Sequence, residues 1–267
     1  MKLKKMTAFL IALTAFNATT AFTSCGEMKT IEIAGSTSVQ PLMGALADAY
    51  MAKHSGVQVK VEGGGSSIGI SNAKEGKGDF GMASKAVFEE GVKTVKICDD
   101  GIVVVVNKAN PLNEVSGIEL FNFYVSGIAI SSATVPVSRE AGSGTRDAFE
   151  GLVKDENGKK LEKVSDRASA QEFSSTGTAI TYIAQNENAL GYISLGAYDP
   201  QKVKKLTFEG VEGTAENIKN GSYQLARPFN ILYNATKNLS QEAKDFLDFV
   251  LSDEGQAIVA EEGYITL

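Results

Sequence analysis

The stretch Arg139-Glu140-Ala141-Gly142-Ser143-Gly144-Thr145-Arg146 concentrates residue types that hold an anion. Arg139 offers a planar fork of donors suited to an oxyanion. Ser143 and Thr145 offer hydroxyls, and Gly142 and Gly144 allow a tight bend and close approach to a ligand. A β-branched run, Thr134-Val135-Pro136-Val137, precedes the stretch. Thr145, Ala148, Phe149 and Leu152 then fall on one helical face. The pattern is a turn from a strand end into a helix. The first N–H groups of a helix lack intrahelical partners and carry the positive end of its dipole, which completes an anion seat. A Gly/Ser turn can also be a plain helix cap, and Arg139 could instead pair Glu140 or Asp147 at the surface.

Two further turns have the same design. Thr30–Ala34 has a strand pattern and leads into Gly35-Ser36-Thr37-Ser38. Val39, Leu42, Met43, Leu46, Ala47 and Tyr50 follow at helical spacing, with Pro41 in the tolerated first turn. Val57–Glu62 alternates like a strand and leads into Gly63-Gly64-Gly65-Ser66-Ser67, with a helix expected from Ile68. Three hydroxyl-bearing helix starts are better explained as walls of one oxyanion site than as unrelated caps.

At these residues the chain resembles the phosphate-binding proteins of bacterial ABC transporters, which have the type II periplasmic-binding-protein fold. The matching stretches are Gly35–Leu42, Gly65–Ile70, Gly78–Ser84 and Arg139–Arg146, with a looser fit at Asn188–Ser194. The likeness runs in order through nearly everything after residue 29. It implies an α/β chain of two lobes, a two-strand hinge and a ligand cleft between the lobes. It also implies a ligand set. Thr37, Ser38, Ser66 and Ser84 would come from the first lobe. Arg139, Ser143, the Gly144 N–H and Thr145 would come from the second. Well-studied phosphate binders place an aspartate where this chain has Ser84. That aspartate accepts the proton of HPO4(2−) and so rejects sulfate. Asp79, Glu62 and Glu140 are candidate substitutes. Phosphate is the expected ligand, with sulfate, molybdate and tungstate as alternatives.

The ends of the chain bear on location. Met1–Ser24 has a basic start (Lys2, Lys4, Lys5), an apolar centre from Ala8 to Phe16 and a small, polar end. That is the pattern of an export signal, and the apolar run is short for a membrane span. Phe22-Thr23-Ser24-Cys25-Gly26 resembles a bacterial lipobox, which implies acylation of Cys25 and a tether to residue 29. Removing residues 1–24 takes away three lysines and no acid, so the formal charge goes from −6 to −9. An acidic chain is a poor partner for nucleic acid. Cys98 reads as a small buried hydrophobe and His54 as a surface residue at a helix end. No His, Cys and carboxylate cluster has metal spacing, and no cofactor is expected.

The expected lobes are residues 30–107 plus 228–267, and 108–227, with crossings near Asn107 and Arg227. Gly101–Asn107 reads as a strand buried on both faces. Thr176–Gln185 reads as a helix with a hydroxyl-rich start, Leu190–Ser194 and Phe229–Tyr233 as strands. Ser240 and Ser252 open two C-terminal helices expected to pack on the first lobe. The reading is a monomeric, lipid-anchored solute-binding protein that serves a membrane permease. One rival is a phosphatase using Ser143, which needs a base or metal that the sequence does not offer beside it. Another is a surface adhesin or sensor built on the same fold.

Overall fold

A computed structural model describes residues 28–161 and 170–267. The export signal and Cys25 lie outside the described residues, as do residues 162–169. The first half is built from β1 (Lys29–Gly35), α1 (Gln40–Lys53), β2 (Val57–Gly63), α2 (Ser66–Glu75) and β3 (Phe80–Ala83). β1 pairs in parallel with both β2 and β3. The second half contributes α3 (Gly117–Ser126), β6 (Val135–Arg139), α4 (Gly144–Leu152), β7 (Gln171–Phe173), α5 (Thr176–Gln185) and β8 (Ala189–Ser194). There β6 pairs in parallel with β7 and β8. In both halves the helices start beyond the carboxyl ends of parallel strands, the usual ligand side of an α/β sheet.

Two long strands join the halves. β4 (Val92–Asn107) pairs antiparallel with β11 (Ala226–Asn234) over Val92–Gly101, then with β8 over Ile102–Val106. One sheet therefore runs β2-β1-β3-β11-β4-β8-β6-β7, with β9 (Val203–Lys205) also on β4. The small pair β5 (Glu114–Val115) and β10 (Thr207–Phe208) stands apart.

Side-chain packing divides the molecule more sharply than the sheet does. Ile31, Ile33, Leu46, Phe80, Ile97, Cys98, Phe229 and Phe246 belong to one core. Ile102–Val106, Phe123, Phe149, Ile183, Tyr192 and Leu225 belong to another. The change of core on β4 falls between Cys98 and Ile102, upstream of the crossing expected near Asn107. The apolar run 102–106 reports burial on both faces, and apolarity alone does not say in which lobe. On β11 the change falls between Leu225 and Phe229.

Helices α6 (Gln241–Leu251) and α7 (Asp253–Glu261) send Ala243, Phe246, Val250 and Val259 into the first core. Ser240 and Ser252 cap them by accepting from Ala243 N and Gly255 N. His54 is exposed and stacks on Tyr50 at 4.0 Å, and Cys98 is a buried free thiol. Among the described residues no helix is long and apolar enough to cross a membrane, and no group of metal-ligating side chains forms a candidate metal site.

Candidate functional site

Four helix starts meet between the two cores. The first follows β1. Gly35 has φ +145°, and a Cβ there would lie 2.3 Å from the Met82 carbonyl oxygen, so only glycine fits. This brings the β1 end against β3 and carries Ser36, Thr37 and Ser38 into the interior. Ser38 N donates to Ser36 Oγ at 3.3 Å, and no side chain caps α1. The second start follows β2. The N–H groups of Gly64 and Gly65 donate to the Gly35 carbonyl at 2.7 and 2.9 Å, fastening this turn to the first. Ser66 opens α2 with no side-chain cap.

The third start is the Arg139 stretch. Gly142 takes φ +91°, and Ser143 caps α4 by accepting from Arg146 N. Arg146 ties α4 back to the strand, donating from Nη1 to the Arg139 carbonyl at 3.0 Å and to Glu172 at 2.9 Å. Phe149 of α4 stacks on Tyr192 at 3.9 Å, and Tyr192 shares a 3.0 Å hydrogen bond with Ser138 beside Arg139. The fourth start is α5, capped by a reciprocal Ser175–Thr178 box, which leaves the Thr176 hydroxyl free to turn inward.

The hydroxyls of these turns bond to one another, some across the lobes and some within the first. Ser38 Oγ lies 2.8 Å from Thr145 Oγ1 and 3.0 Å from Thr176 Oγ1. Ser36 donates to Ser84 Oγ at 2.9 Å, and Ser66 Oγ accepts from Ser84 N at 3.1 Å. Gly144 comes so close that a Cβ would lie 2.2 Å from Ser66 Oγ and 2.7 Å from Ser84 Oγ. The backbone crosses too, with Ser67 N donating to the Gly142 carbonyl at 3.0 Å. Arg139, 2% exposed, lies among these groups. Its Nη2 donates to Thr37 at 3.0 Å and its Nη1 to Thr176 at 2.9 Å. Nε and Nη2 also hold the two Glu140 oxygens at 2.9 Å each.

The eight residues singled out in sequence are therefore neighbours. Thr37 and Ser38 meet Arg139 and Thr145; Ser66 and Ser84 meet Gly144; Ser143 is the cap beneath them. Arg139 does pair Glu140, but inside the protein, while Asp147 pairs Lys85 instead. Of the candidate substitutes for an aspartate at position 84, Asp79 accepts from the exposed Glu32 N, and Glu62 is exposed. Glu140 alone of the three adjoins the cluster.

Sequence reasoning passed over Thr176, Ser36 and Arg227. Thr176 was visible as part of Ser174-Ser175-Thr176 at a helix start, the same signal as the other turns. Arg227, 3% exposed, lies behind Ser84 and donates to its carbonyl at 3.1 Å. It also holds Asp100 Oδ2 through Nε at 3.2 Å and Nη2 at 3.0 Å. Asp100 accepts from Ser194 at 2.9 Å with its other oxygen. Burial pushes the Asp100 carboxyl up and the Arg227 guanidinium down, and each partner opposes the shift of the other.

This arrangement suits a small polyanion. Four positive helix ends, buried hydroxyls that can donate or accept, and one guanidinium facing both lobes would satisfy a ligand with several oxygens. Ser143 Oγ is engaged as a cap, and no base reaches it in any described hydrogen bond, so a nucleophilic role lacks its usual activation.

Known proteins align with this picture. Residues 19–254 match a family model described as a PBP superfamily domain. A Streptococcus agalactiae protein named phosphate-binding protein PstS 2 is 42% identical over 135 residues; the match spans 49% of this chain and 45% of that one. This chain thus covers less than half the length of that relative. A Bacillus subtilis protein named phosphate-binding protein PstS is 28% identical over 90% of this chain and 82% of its own. A Clostridium perfringens crystal structure, assigned as a phosphate ABC transporter substrate-binding protein with bound phosphate, superposes with TM-score 0.82. It is 39% identical and is covered entirely by 90% of this chain. The two-lobed type II architecture expected from the sequence is the fold of that structure.

Proposed function

Because the chain belongs to the PBP superfamily, we propose that it binds inorganic phosphate outside the cytoplasm and hands it to the permease of an ABC importer. The family is one of substrate-binding proteins rather than enzymes. The single observation that carries the reading is Arg139. One buried guanidinium takes Thr37 from one lobe and Thr176 from the other. An anion placed there would draw both lobes to itself, so its binding favours closure by differential contact. In this reading Thr37, Ser38, Ser66, Ser84, Arg139, Ser143, Thr145 and the Gly144 N–H contact the anion. Thr176 and Ser36 join them. The hydroxyls now bonded to each other exchange those bonds for ligand oxygens, which keeps buried polar atoms satisfied in both states.

The lipobox-like junction supports a lipid anchor at Cys25. The change of core supports two lobes, the first running from residue 30 to the crossing on β4 at residues 98–102 and resuming near residue 228, the second lying between the two crossings. Fatty-acid labelling lost in Cys25→Ser tests the anchor. Ser84, a hydroxyl rather than a carboxylate, favours a second reading in which sulfate, molybdate or tungstate also bind. Calorimetric titration of the delipidated protein with all four anions separates the two. Phosphate binding at least tenfold tighter than the rest supports the first; equal affinities support the second; no binding of any removes both.

A further inference from the structure

We propose that Lys85 and Asp147 form a latch that sets the ligand affinity without touching the ligand, a proposal that rests on the reading of the site as one that closes on an anion. The Lys85 ammonium donates to Asp147 Oδ2. Lys85 directly follows Ser84 at the end of β3, whereas Asp147 stands on the first turn of α4, two residues beyond Thr145. The pair therefore joins the two ligand-facing turns that Gly144, Ser66 and Ser84 bring together. It does so from outside the cluster. Its side chains are 28% and 36% exposed, at the edge of a cleft of about 340 Å³ that Leu152 and Pro228 also line. Water and salt reach it, whereas Ser84 beside it is buried.

Most exposed ion pairs contribute little because both ends are free to wander. Here the backbone beneath Lys85 is held. Asn230 Nδ2 donates to the Lys85 carbonyl at 2.8 Å, and Arg227 Nη1 to the Ser84 carbonyl at 3.1 Å. Asp147 N bonds the Ser143 carbonyl at 3.0 Å within a helix that Arg146 fastens to β6. With both bases fixed in their own lobes, the separation of the two charges reports the separation of the lobes. Opening pulls them apart; closing brings them together. The other ion pairs that involve this part of the first lobe, such as Lys74–Glu89, stay within it and do not report lobe separation. Lys85 and Asp147 are thus positioning residues. They bias the closed form, and a ligand that needs the closed form binds more tightly for it.

The test is a double-mutant cycle on the full chain with Lys85→Met, Asp147→Asn and the pair combined, reading affinity and dissociation rate for inorganic phosphate. Each single change should weaken binding about two- to five-fold, mainly through faster release. The double should be no weaker than either single, and the gap to wild type should narrow as salt is raised. Losses that multiply in the double, or unchanged affinity in all three, overturn the latch. If wild type binds no phosphate, the phosphate reading fails instead. Solution scattering of the ligand-free protein then decides the latch. Lys85→Glu, which sets two carboxylates against each other, should enlarge the radius of gyration. An identical radius overturns the proposal.

Discussion

Arg139 and Arg227 have nearly the same surroundings and opposite work. Both are buried, and both give two nitrogens to a carboxylate, Glu140 in one case and Asp100 in the other. The difference lies in what remains. Arg139 has donors left over for hydroxyls of two lobes, and its carboxylate is 19% exposed. Arg227 gives its remaining donor to a backbone carbonyl, and its carboxylate is fully buried. An arginine whose partners are all fixed backbone and buried charge holds a fold. One that also donates to rotatable hydroxyls, as Arg139 does beside its bonds to Glu140 and the Phe173 carbonyl, can exchange those hydroxyls for a ligand.

The largest effect expected from this contrast is on stability. Asp100→Ala leaves Arg227 as an uncompensated buried charge, at about 3–5 kcal/mol in a urea melt. Asp100→Asn keeps a hydrogen-bond partner and should cost less. If Asp100→Ala melts like wild type, the two arginines do not differ as described. Arg139→Ala should reverse the pattern. It should weaken phosphate binding by about 2–5 kcal/mol in calorimetry while the ligand-free melt moves much less, because Glu140 can turn toward water. Arg139→Lys should recover part of the affinity, since an ammonium lacks the planar fork. A large loss of ligand-free stability with affinity nearly intact would make Arg139 a second structural arginine.

Gly144 sharpens the same contrast at a smaller scale. It is the first residue of α4 and its φ is not in the left-handed region, so the backbone accepts alanine there. A Cβ there would strike Ser66 and Ser84, which belong to the other lobe. Gly144→Ala should therefore leave the ligand-free melt unchanged or slightly higher, yet weaken phosphate binding by about 1–3 kcal/mol through overpacking of the closed form. Loss of both stability and affinity would mean that the contact belongs to the fold, not to closure.

How much of this was legible in the sequence follows from the range of each interaction. The Arg139 turn, the Gly35 turn and the Ser66 turn are local patterns, and their residues do come together. Strands and helices such as Thr176–Gln185 were readable because apolar spacing and hydroxyl caps are also local. The Arg227–Asp100 pair was not, because its members are 127 positions apart and only strand pairing joins them. Where the core changes on β4 was not legible for a related reason. Ile102–Val106 signals burial, but β8 and β11 decide which core receives it. Thr176 was a missed neighbour rather than a missed signal, since its approach to Arg139 depends on β7 lying beside β6.

The smallest effect concerns Ser143, where cap and ligand contact compete for one hydroxyl. Ser143 caps α4 by accepting from Arg146 N at 3.4 Å, a long bond. Replacing a serine cap by alanine costs about 0.5–2 kcal/mol, but replacing it by glycine costs only a few tenths. Ser143→Gly therefore removes the hydroxyl while nearly sparing the helix. If the hydroxyl also donates to the anion, Ser143→Gly should lose about 0.5–1.5 kcal/mol of phosphate affinity with its melting temperature almost unchanged. Ser143→Ala should lose both. The two roles are compatible because capping uses the oxygen as an acceptor and leaves its proton free to point at the ligand. A Ser143→Gly protein with wild-type affinity would assign Ser143 to the helix alone. The anion would then rest on Arg139, the helix-start N–H groups and the hydroxyls of Ser38, Thr145 and Thr176.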